Sequence, residues 1–213
     1  MKKIELIWRE ILTEALENHQ SYFSQKELAQ KFKLSTSMVF HALKKPRNLG
    51  AIKVGGRGFE LLDWEKLLFL WATERNLKKD IIYQTFTDLP VLEIEGLMPA
   101  SVIPTAYTAY HFLFKETPAD YGKVYFYTTE LSSVKERFPE NSRREPNIFS
   151  SPEPNLFILK PDPWLKNYLP AGRQARLVPP LAQIFVDLWN LSDWYAKEYQ
   201  TALLEKMKAK IGL

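Results

Sequence analysis

Residues 22–62 read YFSQKELAQKFKLSTSMVFHALKKPRNLGAIKVGGRGFELL, and this stretch decides the fold of the first half. Ser24 can accept from the free amides of a starting helix, and Glu27, three residues on, can reach back to the Ser24 amide, a capping box. A short helix is expected from there to about Phe32, with Tyr22 or Phe23 packed at its entrance. Lys33-Leu34-Ser35 reads as a turn. A second helix is expected from Thr36 to about Lys45, where Pro46 pushes its predecessor out of the helical region. Two short helices joined by so short a turn describe a helix-turn-helix. Ala29 is small where the helices must cross, and Leu28, Phe32, Leu34, Val39 and Leu43 supply apolar contacts. Lys33 takes a turn position where glycine is common.

At about 100° per residue, Thr36, Val39, Ala42 and Leu43 share one side of the second helix. Ser37, His41, Lys44 and Lys45 share the other. That outward face is short and hydrogen-bonding at its start and basic at its end, which suits base edges followed by phosphates. Downstream, residues 49–54 read as a strand and Gly55-Gly56-Arg57-Gly58 as a hairpin turn, with 59–62 as the return strand. A helix-turn-helix followed by a basic-tipped hairpin is the pattern of a winged helix. The DNA-contact candidates are Ser37 and His41 toward bases, and Lys44, Lys45, Arg47, Lys53 and Arg57 toward the backbone or minor groove. The glycines of the tip do not make a nucleotide-binding loop, because neither Gly-x-Gly-x-x-Gly before a helix nor Gly-Lys-Ser/Thr occurs.

Charge supports the same partner. Residues 19–59 hold eight Lys and Arg against a single acid, Glu27, a local balance of +7 within a chain of net +4. Residues 81–213 hold 14 basic and 15 acidic side chains. A basic block on a near-neutral body marks a polyanion-binding region, and double-stranded DNA is the expected partner. The chain has 213 residues, 46% of them hydrophobic, and no cysteine. Disulfide scaffolds, zinc ribbons and thiol catalysis are thereby excluded. No apolar run approaches the roughly 18 residues of a membrane span, and the N-terminus does not read as a secretory signal. No membrane partner and a cytoplasmic location are expected.

Around this module, residues 2–18 read as an amphipathic helix buried through Ile4, Ile7, Ile11 and Leu12. Glu5, Arg9, Glu10, Glu14 and Glu17 are expected on its solvated face. Asp63 caps a helix carrying Leu67, Leu68 and Trp71. Residues 80–213 read as mixed α and β. Strands are expected at 81–86, 124–128 and 155–159, and helices at 102–114 (begun near Pro104), 132–138, 180–191 and from a Ser192 cap to about 210. Residues 139–155 and 160–176 read as loops. The expected fold class is α+β: a winged helix-turn-helix over 1–80, then a mixed α/β domain over 81–213. Tyr195 and Tyr199 are candidate partner-binding residues, while Leu188 and Trp189 are expected inside.

Catalytic chemistry finds no agent. His19, His41 and His111 are dispersed, without a second ligand three or four residues away, so no metal is expected. No serine sits in a nucleophile elbow. Glu93 and Glu95 are read as charged surface, and no cofactor is expected. An enzyme with a DNA-targeting domain would need a polar constellation that the sequence does not display.

Three separated blocks carry a family likeness. Residues 58–72 (GFELLDWEKLLFLWA), Thr108-Ala109-Tyr110, and 177–188 (LVPPLAQIFVDL), in this order after a winged helix, resemble the AbiEi-type antitoxins, the regulatory half of abortive-infection type IV toxin–antitoxin systems. The resemblance implies an autorepressor whose partner is a cognate nucleotidyltransferase-like toxin. Such toxins carry a Gly-Ser dipeptide followed by paired aspartates, and this chain contains no Gly-Ser. The alternative is a winged-helix regulator whose second half senses a small molecule or forms a homodimer.

Overall fold

The computed structural model describes residues 1–140, 152–169 and 177–211. The chain is α+β, and it divides into two compact units. The first comprises Met1–Asn76, Pro180–Ser192 and Gln200–Leu213; the second comprises Leu77–Pro179 and Asp193–Tyr199. The first break falls close to the expected one at residue 80. The expected assignment of everything after it to one domain is corrected, because 180–192 and 200–213 return to the first unit. Among the described residues no helix is long and apolar enough to cross a membrane.

The first unit starts with α1 (Lys3–Asn18), followed by β1 (Tyr22–Phe23), α2 (Gln25–Phe32), α3 (Thr36–Asn48), β2 (Ile52–Val54), β3 (Phe59–Leu61) and α4 (Trp64–Glu74). The strands form a small antiparallel sheet in the order β1-β3-β2. Strand β1 is not expected from the sequence, since two residues carry no period. Phe23 does not pack at the helix entrance alone: it pairs with Phe59 across the strands, their rings stacked at 5.5 Å. Helix α8 (Leu181–Trp189) completes the unit against α1 and α4, joined by the Gln200–Leu213 part of the chain.

That closure overturns the expected solvated face of α1. Glu5, Arg9 and Glu10 are buried, at 1%, 0% and 4% exposure. Arg75, at the end of α4, lies 3.3 Å from Asp187 of α8 and 3.7 Å from Glu5. The Glu5 carboxylate also accepts from the Trp71 indole at 3.2 Å, and Arg9 donates to Gln183 at 2.9 Å. Arg9, Arg75, Glu5 and Asp187 therefore leave water together, and the third buried carboxylate, Glu10, is paired with the ammonium of Lys31 on α2.

The second unit is built on a four-stranded sheet in the order β4-β7-β6-β5, with β4 (Ile81–Thr85), β5 (Ile103–Thr105), β6 (Val124–Tyr127) and β7 (Leu156–Leu159). The central pair β6–β7 is parallel and the outer pairings are antiparallel. Both faces are covered, which is why the four residues of β6 are all buried. On one face lie Ile94 of α5 (Val91–Leu97) and Val134 of α7 (Leu131–Arg137), with Phe126, Leu156 and Ile158. The expected helix over 102–114 starts late. Residues 103–105 form the edge strand β5, where Pro104 is tolerated for want of a required amide, and α6 (Ala106–Phe114) follows.

Four tyrosines of this unit gather around a fifth, Tyr107 of α6. Its ring lies 4.9 Å from Tyr195 and from Tyr199, 5.7 Å from Tyr121 and 6.1 Å from Tyr125. Tyr195 and Tyr199 are thus interior, at 6% and 0% exposure, and their assignment as partner-binding surface is corrected. The Tyr199 hydroxyl donates to the Ala119 carbonyl at 2.7 Å, and the Tyr195 hydroxyl accepts from the Gly122 amide at 3.2 Å. Leu188 is buried as expected, but Trp189 is 39% exposed, and Trp194 is the most open of these aromatics at 80%. Ser192 is exposed and does not start the last helix; α9 (Ala196–Ile211) begins four residues later. Parts of the two expected loops, 141–151 and 170–176, lie outside the described residues.

Candidate nucleic-acid interface

Helix α3 is fixed from its buried side. Ser35 caps it, its hydroxyl accepting from the Met38 amide at 3.2 Å, as Ser24 caps α2 by accepting from the Glu27 amide at 3.4 Å. Of the expected capping box, the Ser24 half forms. Between the helices Lys33 adopts the left-handed conformation, φ 53°, and Leu34 donates to the Ala29 carbonyl at 2.9 Å. The lysine therefore occupies the very conformation that glycine adopts without steric cost.

Pro46 does not end α3. The helix continues to Asn48 with Pro46 inside it and buried. A proline has no amide to offer the carbonyl four residues back, which here belongs to Ala42. The Trp8 indole of α1 supplies that hydrogen bond instead, at 2.8 Å in the buried interior. The extra turn carries Arg47 into solvent on the helix rather than on a following loop.

Val39, Ala42, Leu43 and Pro46 form the buried face of α3. Ser37, His41, Lys44, Lys45 and Arg47 are all exposed, and so is Thr36, which the sequence reading placed inside. Lys44 and Arg47 make no ion pair among the described residues. Lys45 does: its ammonium is paired with Glu74 of α4, which also lies 3.4 Å from Lys2. The hydrogen bond from Lys45 holds the Glu74 carboxyl below the usual carboxylate range. Lys45 therefore belongs less to the open basic face than Lys44 does.

The hairpin supplies the remaining cations. Lys53 and Arg57 are exposed on β2 and at the tip. The turn is closed by the Gly55 amide donating to the Gly58 carbonyl at 2.8 Å. Gly58 has no substitute, because a Cβ there would stand 2.3 Å from the Phe23 carbonyl of β1. Lys53 pairs in register with Glu60, whose exposed carboxylate shares its sheet face and offsets part of its charge.

Phe40 escapes the sequence reading. It is 48% exposed on the outward side of α3, three residues after Ser37, with the Lys44 ammonium 5.7 Å from its ring centre and the His41 ring edge-on at 6.0 Å. The signal is its spacing: 37, 40, 41 and 44 follow one helical row.

In the second unit Glu95 is a buried carboxylate rather than surface. It accepts from the Tyr121 hydroxyl at 2.6 Å and lies 3.4 Å from His111 Nδ1. Among the described residues no group of three or more acidic or histidine side chains is arranged to hold a metal ion. The chain matches no protein-family model, and neither a curated protein nor a solved structure matches it.

Proposed function

We propose that the protein is a DNA-binding transcriptional regulator whose first unit acts as a winged helix-turn-helix. Helix α3 enters the major groove, and the β2–β3 hairpin follows the backbone. One observation carries this reading: α3 buries an unbroken apolar face and presents Ser37, His41, Lys44 and Arg47 to solvent, within the unit whose hairpin exposes Lys53 and Arg57. Ser37 and His41 read base edges; Lys44, Arg47, Lys53 and Arg57 hold phosphates; Lys45 contributes once Glu74 releases it.

The resemblance to AbiEi-type antitoxins supports a narrower role. In it the protein represses its own operon and neutralises a nucleotidyltransferase-like toxin, acting by binding and not by catalysis. A second reading, regulation by a small molecule, rests on an open depression of about 640 Å³ on the surface of the second unit, lined by Lys78, Ile82, Tyr83, Lys135 and Phe157 among others.

A gel shift with the DNA upstream of its own gene, against random duplex, tests the core of the proposal. Ser37→Ala with His41→Ala should erode the preference for the upstream DNA more than overall affinity, as base contacts carry about 1–3 kcal/mol of discrimination. Equal losses on both DNAs would remove these residues as readers. Co-purification with a neighbouring nucleotidyltransferase separates the antitoxin role from the alternative.

A further inference from the structure

Phe40 is an aromatic ring left half in water at the centre of a polar, basic row. Its own helix does not need it for packing, since the core contacts of α3 come from Val39, Ala42, Leu43 and Pro46. It is nevertheless held in place, with His41 edge-on to it and the Lys44 ammonium near its ring. From Ser37 to Lys44 the helix rises about 10 Å at 1.5 Å per residue, or about three base-pair steps at 3.4 Å each. Phe40 sits in the middle of that span, flanked by a hydroxyl on one side and an ammonium on the other.

The surrounding charge selects a polyanion, which limits what apolar surface such a partner can offer. In the major groove of duplex DNA the apolar groups on base edges are the 5-methyls of thymine, and an aromatic side chain is one of the groups that meet them. A double-stranded RNA offers no equivalent, because its deep, narrow major groove does not admit side chains. Resting on the DNA-binding reading above, we infer that Phe40 is a specificity-determining residue that reads a pyrimidine 5-methyl group, next to the base edge read by His41. The preferred site of this protein therefore contains a thymine at a fixed place relative to the base contacted by Ser37.

The full-length protein and its Phe40→Ala and Phe40→Leu variants are each put through selection from a randomised duplex library. The wild-type protein should select sites with one invariant thymine, and replacing that thymine by uracil, which deletes only the methyl, should weaken binding about fourfold. Phe40→Ala should lose the preference for thymine over uracil while keeping its other base preferences, and Phe40→Leu should retain part of it. Uracil substitution changes the DNA and not the protein, so a folding defect in the variants does not obscure the result. Selected sites without an invariant thymine, or equal binding to thymine and uracil duplexes by wild-type protein, overturn the inference while leaving DNA binding intact. Failure of the wild-type protein to retain any duplex overturns the DNA-binding reading and this inference with it.

Discussion

The two units solve the same problem, a closed interior, with opposite chemistry. The first buries charges: Glu5, Arg9, Arg75 and Asp187 come from three stretches of chain far apart in sequence. The second buries phenols: Tyr107, Tyr121, Tyr125, Tyr195 and Tyr199 pack ring against ring, with hydroxyls bonded to carbonyls, amides and carboxylates. Buried ions specify who must pair with whom, because a charge that loses its partner is left uncompensated. Buried tyrosines are more tolerant, each bringing a large apolar area and a single polar group to satisfy. Both units draw on the C-terminal part of the chain: the unit proposed to read DNA takes its buried Asp187 from it, and the other takes Tyr195 and Tyr199.

The largest effect expected from this contrast follows from removing one ion. Asp187→Ala leaves Arg75 buried without its nearest carboxylate and should cost about 3–5 kcal/mol in urea unfolding. A fragment of residues 1–80 lacks α8 altogether and should not fold cooperatively, whereas the full chain should. A fragment that melts like the intact protein would dissolve the contrast.

The second unit should fail at high pH. Burial pushes the phenols of Tyr107, Tyr121, Tyr125, Tyr195 and Tyr199 above their ordinary value. For an acid, a raised folded pKa means that the neutral form is favoured on folding. The resulting stability is complete below about pH 10, where unfolded tyrosines begin to ionise, and is lost as pH rises past it. Tyrosinate absorbance should therefore rise in one steep step together with loss of tertiary structure; independent, gradual ionisation at pH 10 would contradict the buried cluster.

Smaller changes sharpen the picture within the first unit. Trp8→Phe removes the donor to the Ala42 carbonyl beneath Pro46 and should cost about 1–3 kcal/mol, most of it from the orphaned carbonyl. Restoring an amide with Pro46→Ala in that background should recover part of the loss. Lys33→Gly relieves a side chain from the left-handed conformation and should stabilise the chain by up to about 1 kcal/mol. A destabilised variant would mean the turn is not as described.

What the sequence made legible was local. Caps at Ser24 and Ser35, glycines at the hairpin and the period of Val39, Ala42 and Leu43 act within a few residues, so α2, α3 and the β2–β3 hairpin emerge near their observed bounds. What it hid was decided at a distance. The continuation of α3 through Pro46 depends on Trp8, which donates to the Ala42 carbonyl 34 positions further along the chain. The burial of Glu5 and Arg9 depends on residues 75, 183 and 187, and an amphipathic period cannot show that a second helix will cover the polar face. Tyr195 and Tyr199 looked like an exposed i, i+4 pair, but α6 and the segment around Tyr121 take that face. In the candidate interface the cations were visible by type, whereas the pairing of Lys45 with Glu74 and the exposure of Phe40 required the packed unit.

The outward face of α3 and the hairpin tip are proposed to hold phosphates. The most direct measurement is the salt dependence of duplex binding by the full-length protein and by a Lys44→Gln, Arg47→Gln, Arg57→Gln variant. Each lost phosphate contact lowers the log–log slope by roughly 0.9, so the triple variant should bind more weakly to all sequences with a slope smaller by about 2.7. An unchanged slope in a variant that still folds would place the polyanion on another face and contradict the claim.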